Sequence, residues 1–357
     1  QVMKLTEADI QDLHTGAVFT ACMISPDWTG EQTDRVIAQL RDSGSLPELC
    51  APEELAEDAL IVATGYVSNG LAPADLRPVG DEFICSLELL QDELGAPIQG
   101  VMPLAAGGLN AMVPPLVAAQ FGVPVVDVDP MGRVLPLVNQ TVFTLAGLPA
   151  GPVAAAGATG ETALVQVEEP TRVDRVLRAL AGVYGGWAAT VSYPMKASTA
   201  ARFGVRKSLT KLLTIGNILN AEQPIEEKYE ALRRTVGIKL SIRARVSDLA
   251  WFARGTLPGQ TARPSSVVLV EETHGRVVQL MIQNEVVILL VDGAIRASVP
   301  DIITMLHAPD GNPATIEDLW VGNMIDIVVM HADAAWYTPE GIELAGPKAF
   351  RGLGQGA

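Results

Sequence analysis

Hydrophobic positions along this chain alternate between a helical and a strand-like period. Thr6-Glu7-Ala8-Asp9 is a capping signature ahead of an amphipathic stretch, and residues 31–43 carry helical spacing. Between them, residues 16–30 contain Pro26 and few helix signals, so residues 22–27 are expected as a loop, or a strand followed by a loop. Residues 60–67 read as a buried strand entering a glycine turn. Helical spacing follows over 81–95, a short strand over 100–104 and a helix over 112–121. Residues 123–129 then form an apolar strand ending in carboxylates. Strand, turn, helix and strand in this order predict parallel βαβ units, whose ligands gather beyond the carboxyl ends of the strands.

A second texture begins after about residue 150. Residues 162–167 alternate as a strand, 171–182 are helical, and 185–193 are glycine-rich and then strand-like. Helical spacing returns over 208–220 and 225–236. From about residue 267 strands dominate: 266–271, 276–284, 286–291 and 325–330, with Asp292-Gly293 as a hairpin signal. The expected architecture is an α/β domain of parallel βαβ units over 1–160. A C-terminal domain over 161–357, mixed and then β-rich, completes a chain that is α+β overall. A length of 357 residues suits two cores better than one.

Charge narrows the partners. With 41 acidic against 25 basic residues, the net charge of −16 opposes binding to nucleic acid or anionic lipid. The apolar run 286–291 is far too short to span a bilayer. Cys22, Cys50 and Cys85 are odd in number and form no CxxC pair, and the opening residues carry no secretory pattern. A soluble, cytoplasmic protein is expected, acting on a small molecule.

The candidate chemistry centres on Asp127-Val128-Asp129, whose carboxylates share one side of an extended segment, and on Arg133 just beyond. Such a set could serve as acid, base and anion clamp, or hold a divalent metal. The competing reading has one Asp capping the next helix and the other pairing with Arg133. Gly107-Gly108-Leu109-Asn110 offers exposed amides for an anion or oxyanion, or is a turn chosen for packing. No dinucleotide or P-loop fingerprint occurs. His331-Ala332-Asp333 could supply two metal ligands on one strand face, or be structural. Cys22 could be a nucleophile or a small apolar loop thiol. Tyr193 and Lys196 place a phenol and an amine after a strand, either lining a cleft or leaving the sheet. Asn284 and Glu285, with Gln283, interrupt two apolar strands, as a hairpin tip or as a polar face toward a substrate.

In order and spacing, several of these pieces resemble the S-methyl-thiohydantoin desulfurase-like family, whose members are often encoded beside hydantoinases. The resemblance is carried by Gly107-Gly108-Leu109-Asn110, Val125 through Arg133 with Pro136, Tyr193-Pro194-Met195, Ser208-Leu209 and Ile215-Gly216. Phe252-Ala253-Arg254-Gly255-Thr256, Gln283-Asn284-Glu285, Val299-Pro300-Asp301 and Thr338-Pro339-Glu340-Gly341 continue it. It implies metal-assisted hydrolysis or desulfurisation of a small cyclic amide such as a hydantoin, with Asp127, Asp129 and Arg133 as catalytic candidates, or else a non-catalytic partner subunit or binding protein of a hydantoinase-type system. The cofactor is then either none or one divalent metal such as zinc, and a homo-oligomer or a hydantoinase-type partner is the implied assembly. Where the family carries a glycine-rich loop, this chain has Phe19 through Pro26. Where the family has carboxylates, it has Ala105-Ala106 and Leu137. These departures imply a drier pocket, suited to cyclisation, rearrangement or elimination rather than metal-driven hydrolysis.

Overall fold

A computed structural model describes residues 2–21, 26–68, 76–251 and 264–350. Two eight-stranded sheets dominate it. The first runs, in spatial order, Met3–Lys4, Glu48–Cys50, Val125–Val126, Gly100–Pro103, Leu60–Ser68, Trp187–Lys196, Val153–Ala156 and Thr162–Val165. Its strands from Glu48–Cys50 through Leu60–Ser68 are parallel, and antiparallel strands complete both edges. Ile61, Val62, Ala63, Val101, Met102, Val125 and Val126 are fully buried. Helices cover both faces, which is why successive residues of these strands are buried instead of alternating with exposed ones. The chain beyond residue 160 returns to this sheet twice, through Thr162–Val165 and Trp187–Lys196.

The second sheet is antiparallel throughout, in the order Ala294–Ser298, Val286–Val291, Val277–Ile282, Pro264–Glu271, Ile238–Trp251, Met324–Met330, Ile302–His307 and Pro313–Ala314. Both Asp292 and Gly293 have positive φ, as the tight hairpin there requires. The chain is therefore a two-domain α+β protein, with a mixed N-terminal sheet among helices and an antiparallel C-terminal sheet. Among the described residues no helix is long and apolar enough to cross a membrane.

Two sequence expectations change. The loop expected over 22–27 is narrower, since helices Glu7–Ala21 and Pro26–Ser43 flank residues 22–25, which lie outside the described residues. Thr6 and Asp9 close a capping box at the start of the first, with Asp9 Oδ2 accepting from the Thr6 amide at 2.8 Å. Gly16 does not break this helix because it serves a crossing with the helix Ser208–Asn220. A Cβ on Gly16 would lie 2.0 Å from the Leu212 carbonyl oxygen, and one on Gly216 would lie 1.7 Å from the Asp12 carbonyl oxygen. The two backbones thus touch through paired glycines. The strand expected over 123–129 is split into Val125–Val126 in the large sheet and Val128–Asp129, which pairs with Val205–Arg206. That split points the chain toward the helix Ser208–Asn220.

Candidate functional site

Asp127 sits between the two short strands, its amide donating to the Cys50 carbonyl at 2.8 Å. Its carboxylate accepts from the Leu209 amide at 2.9 Å, the Thr210 amide at 3.3 Å and the Thr210 hydroxyl. It therefore caps the helix Ser208–Asn220 from another part of the chain, where the positive end of the helix dipole favours a carboxylate. Asp129, fully buried, accepts from the Met131 amide at 2.9 Å, the Gly132 amide at 2.8 Å and the Ser208 hydroxyl. Burial pushes its pKa up to about 7, against the opposing pull of those donors. The two carboxylates thus meet at one helix start.

Arg133 turns elsewhere. Its side chain is 2% exposed and forms an ion pair with Glu285 while donating to the carbonyls of Pro300 and, at 3.1 Å, Asp301. Burial raises the Glu285 pKa and Arg133 opposes that rise. This cluster bolts the N-terminal domain onto the β-rich sheet. The Trp336 indole adds a second bolt by donating to the Met131 carbonyl at 2.8 Å.

A cleft of about 240 Å³ opens between these parts. Gly132, Ser208 and Lys211 line one side, His331 and Asp333 the other, and Thr20 and Ala106 contribute small side chains. Lys211 is half-buried, and burial lowers its pKa while Asp129 and Asp333 oppose that shift. No side chain or backbone group among the described residues hydrogen-bonds its amine. Asp333 accepts from the Ala335 amide at 2.9 Å through Oδ1. His331 reaches Asp301 at 3.4 Å and the Tyr337 hydroxyl at 3.3 Å, and Tyr337 itself donates to Asp301 at 2.6 Å. A larger groove of about 690 Å³ between Ser208–Asn220 and Ile225–Val236 carries Glu226, Glu227 and Glu230. Those carboxylates are exposed to solvent.

The other sequence candidates lie at varied distances from this cleft. Gly107 borders it, since a Cβ there would approach Val134 and then Thr20. Gly108 begins the short helix Gly108–Ala111, and Asn110 clasps the Tyr66 backbone, accepting from its amide at 2.8 Å. The Tyr193 phenol is buried and donates to the Val138 carbonyl at 2.9 Å. Lys196 is exposed at a strand end, and Asn284 is half-buried in the turn before Glu285. Cys22 and the Phe252–Thr256 motif lie outside the described residues.

Asp127 and Asp129 do not fit a divalent cation. Their four oxygens already accept from amides and hydroxyls, and among the described residues no three His, Cys, Asp or Glu side chains converge. Sequence reasoning passed over Lys211, although a signal was present. Lys211 is the one charged residue in SLTKLLTIGNILN, a helix otherwise apolar or neutral.

Comparison with known proteins agrees with the two-domain layout. No curated protein matches the chain. A crystal structure of a protein from Chromobacterium violaceum shares the fold, with a TM-score of 0.74 at 19% identity over 96% of this chain and 95% of that one. The model of the S-Me-THD-like N-terminal domain matches residues 8–167, and that of the S-Me-THD-like C-terminal domain matches 168–353. With both domain models matched in sequence and almost end to end, the chain belongs to the S-Me-THD-like family.

Proposed function

We propose that this protein is an enzyme acting on a small cyclic amide-type or nitrogen-heterocyclic compound in the cleft around Lys211. The reaction is a cyclisation, rearrangement or elimination rather than the family's hydrolysis or desulfurisation. The observation that carries this reading is Lys211 itself: an amine facing a cleft, depressed in basicity by burial and without a hydrogen-bond partner among the described residues. A group of that kind suits general acid–base work, since its neutral form is more accessible than that of a solvated lysine. It would exchange a proton with the ring, and Asp333 across the cleft would take or return it. Asp129 is fully buried and works from behind, by setting the charge beside the amine.

Size and composition support the same reading. About 240 Å³ is below the usual ~300–1,000 Å³ of drug-sized pockets, which fits a single small ring. Thr20 and Ala106 line this cleft, so the stretches where the chain departs from its family border the proposed site. Alanine there replaces a carboxylate by a methyl group and leaves a drier wall. Arg133 then has a positioning role, holding Gly132 and the opposite domain in register. The test incubates the full chain with hydantoin, 2-thiohydantoin and dihydropyrimidine rings and follows mass and isomer composition by chromatography. Turnover of at least one ring that is lost in Lys211→Met is expected. Equal activity of wild type and Lys211→Met on every ring that reacts, or no reaction and no binding across the panel, overturns the reading.

A further inference from the structure

We infer that Lys211 is a covalent amine site, condensing with small aldehydes or ketones that enter the cleft to form an imine. This goes beyond the ring reading and stands or fails separately from it. Three observations lead to it. The amine belongs to a helix with no other charge, so no neighbouring acid on that helix neutralises it. It has no hydrogen-bond partner among the described residues, which leaves its lone pair, once deprotonated, uncommitted. The helix cannot swing it away, because Gly16 and Gly216 lock Ser208–Asn220 against Glu7–Ala21 at backbone contact. Burial shifts the amine toward its neutral, nucleophilic form, against the pull of Asp129 and Asp333 toward the ammonium.

The step balances without a cofactor. Nζ attacks the carbonyl carbon, the C–N bond forms, the carbonyl π pair moves to oxygen, and one N–H proton passes to that oxygen. The nitrogen lone pair of the resulting carbinolamine then forms C=N as the C–O bond breaks, and the second N–H proton goes to the departing hydroxyl, which leaves as water. Asp333 is placed to shuttle these protons: Oδ1 is held by the Ala335 amide, while Oδ2 has no hydrogen bond among the described residues. Ala106 and Thr20 leave room beside the amine for a small carbonyl compound, while the nearby carboxylates Asp129 and Asp333 favour the ammonium and so oppose the effect of burial.

The experiment uses competition within one molecule. The full chain is exposed to a low concentration of acetaldehyde with cyanoborohydride, digested, and each lysine's ethylation rate is measured by mass spectrometry. Lys207 and Lys196 are exposed lysines of the same chain and serve as internal references. Lys211 is expected to be labelled at least about tenfold faster than either. In a second measurement, Asp333→Asn should slow labelling of Lys211 while leaving Lys207 unchanged. A Lys211 rate no higher than that of Lys207 overturns the inference. Because the comparison lies within the wild-type chain, it holds even if Lys211 variants fold poorly.

Discussion

Replacing Arg133 by Met tests whether the arginine serves as a bolt between domains or acts in the chemistry. The substitution keeps most of the aliphatic stem and removes the guanidinium. Glu285, its side chain 14% exposed, then loses its ion-pair partner, and the carbonyls of Pro300 and Asp301 lose charged donors. Breaking one side of a buried pair costs about 3–5 kcal/mol, because an uncompensated charge stays behind. The partial exposure of Glu285 moves the expectation to the lower part of that range. Removing both partners in Arg133→Met/Glu285→Leu takes the stranded charge away, so the double variant should be more stable than Arg133→Met by about 1–2 kcal/mol.

Urea unfolding followed by fluorescence, on wild type, both single variants and the double variant, reads the cycle directly. Cleft function, measured as Lys211 labelling by acetaldehyde, should fall in Arg133→Met and recover at least partly in the double variant. Two results would refute the reasoning. One is an Arg133→Met protein within about 1 kcal/mol of wild type, since a guanidinium at 2% exposure cannot be removed so cheaply if its partners are as described. The other is strict additivity in the double variant, which would mean the two groups do not interact.

Other predictions follow from the same geometry. Asp129 has a folded-state pKa raised to about 7, above the roughly 3.9 of an unfolded aspartate, so the folded chain holds a proton that the unfolded chain releases. Stability should therefore fall as pH rises from about 4 to 7, by up to about 4 kcal/mol at 1.36 kcal/mol per unit. Asp129→Asn should flatten that slope in thermal melts across the window, and an unchanged slope would count against the buried assignment. Gly216→Ala would set a methyl group 1.7 Å from the Asp12 carbonyl oxygen. The helices must part by more than about 1 Å, so a loss of about 3 kcal/mol or more is expected on denaturant titration. Asp127→Ala removes the cap of Ser208–Asn220 and should cost about 1–2 kcal/mol, with faster amide exchange at Leu209 and Thr210.

Much of the fold was legible because burial on both faces writes itself into local runs. Residues 60–63, 101–102 and 125–126 are apolar without interruption, and each lies in a strand of the parallel centre. Helices such as Glu82–Leu94 and Ile225–Val236 follow their own periodicity, and Gly95 and Gly237 end them in the left-handed conformation. The long strand Ile238–Trp251 was passed over although Ile238, Leu240, Ile242, Ala244 and Val246 alternate strictly. Its signal was present and went unread. The helix through Gly16 was illegible for a different reason. A glycine that breaks a helix and one that lets two helices touch look alike until the partner is known, and Leu212 lies nearly two hundred residues away.

The site divides in the same way. Asp127 and Asp129 could be picked out because a carboxylate pair at a strand end is a local pattern. What those carboxylates do is not local, since each reaches the helix Ser208–Asn220 through a chain reversal that no spacing encodes. Their oxygens are spent in holding that helix start, which places Lys211 one turn further along at the cleft. The acids legible in the sequence thus position an amine that sequence reasoning passed over. Among the described residues the Lys211 amine has no hydrogen bond, so chemistry at this site should depend on the lysine directly and on Asp127 and Asp129 through it. Asp127→Asn should accordingly weaken the helix cap and shift Lys211 reactivity only as far as the helix start moves. Lys211→Met should remove the reactivity outright while leaving Asp127 and Asp129 in place.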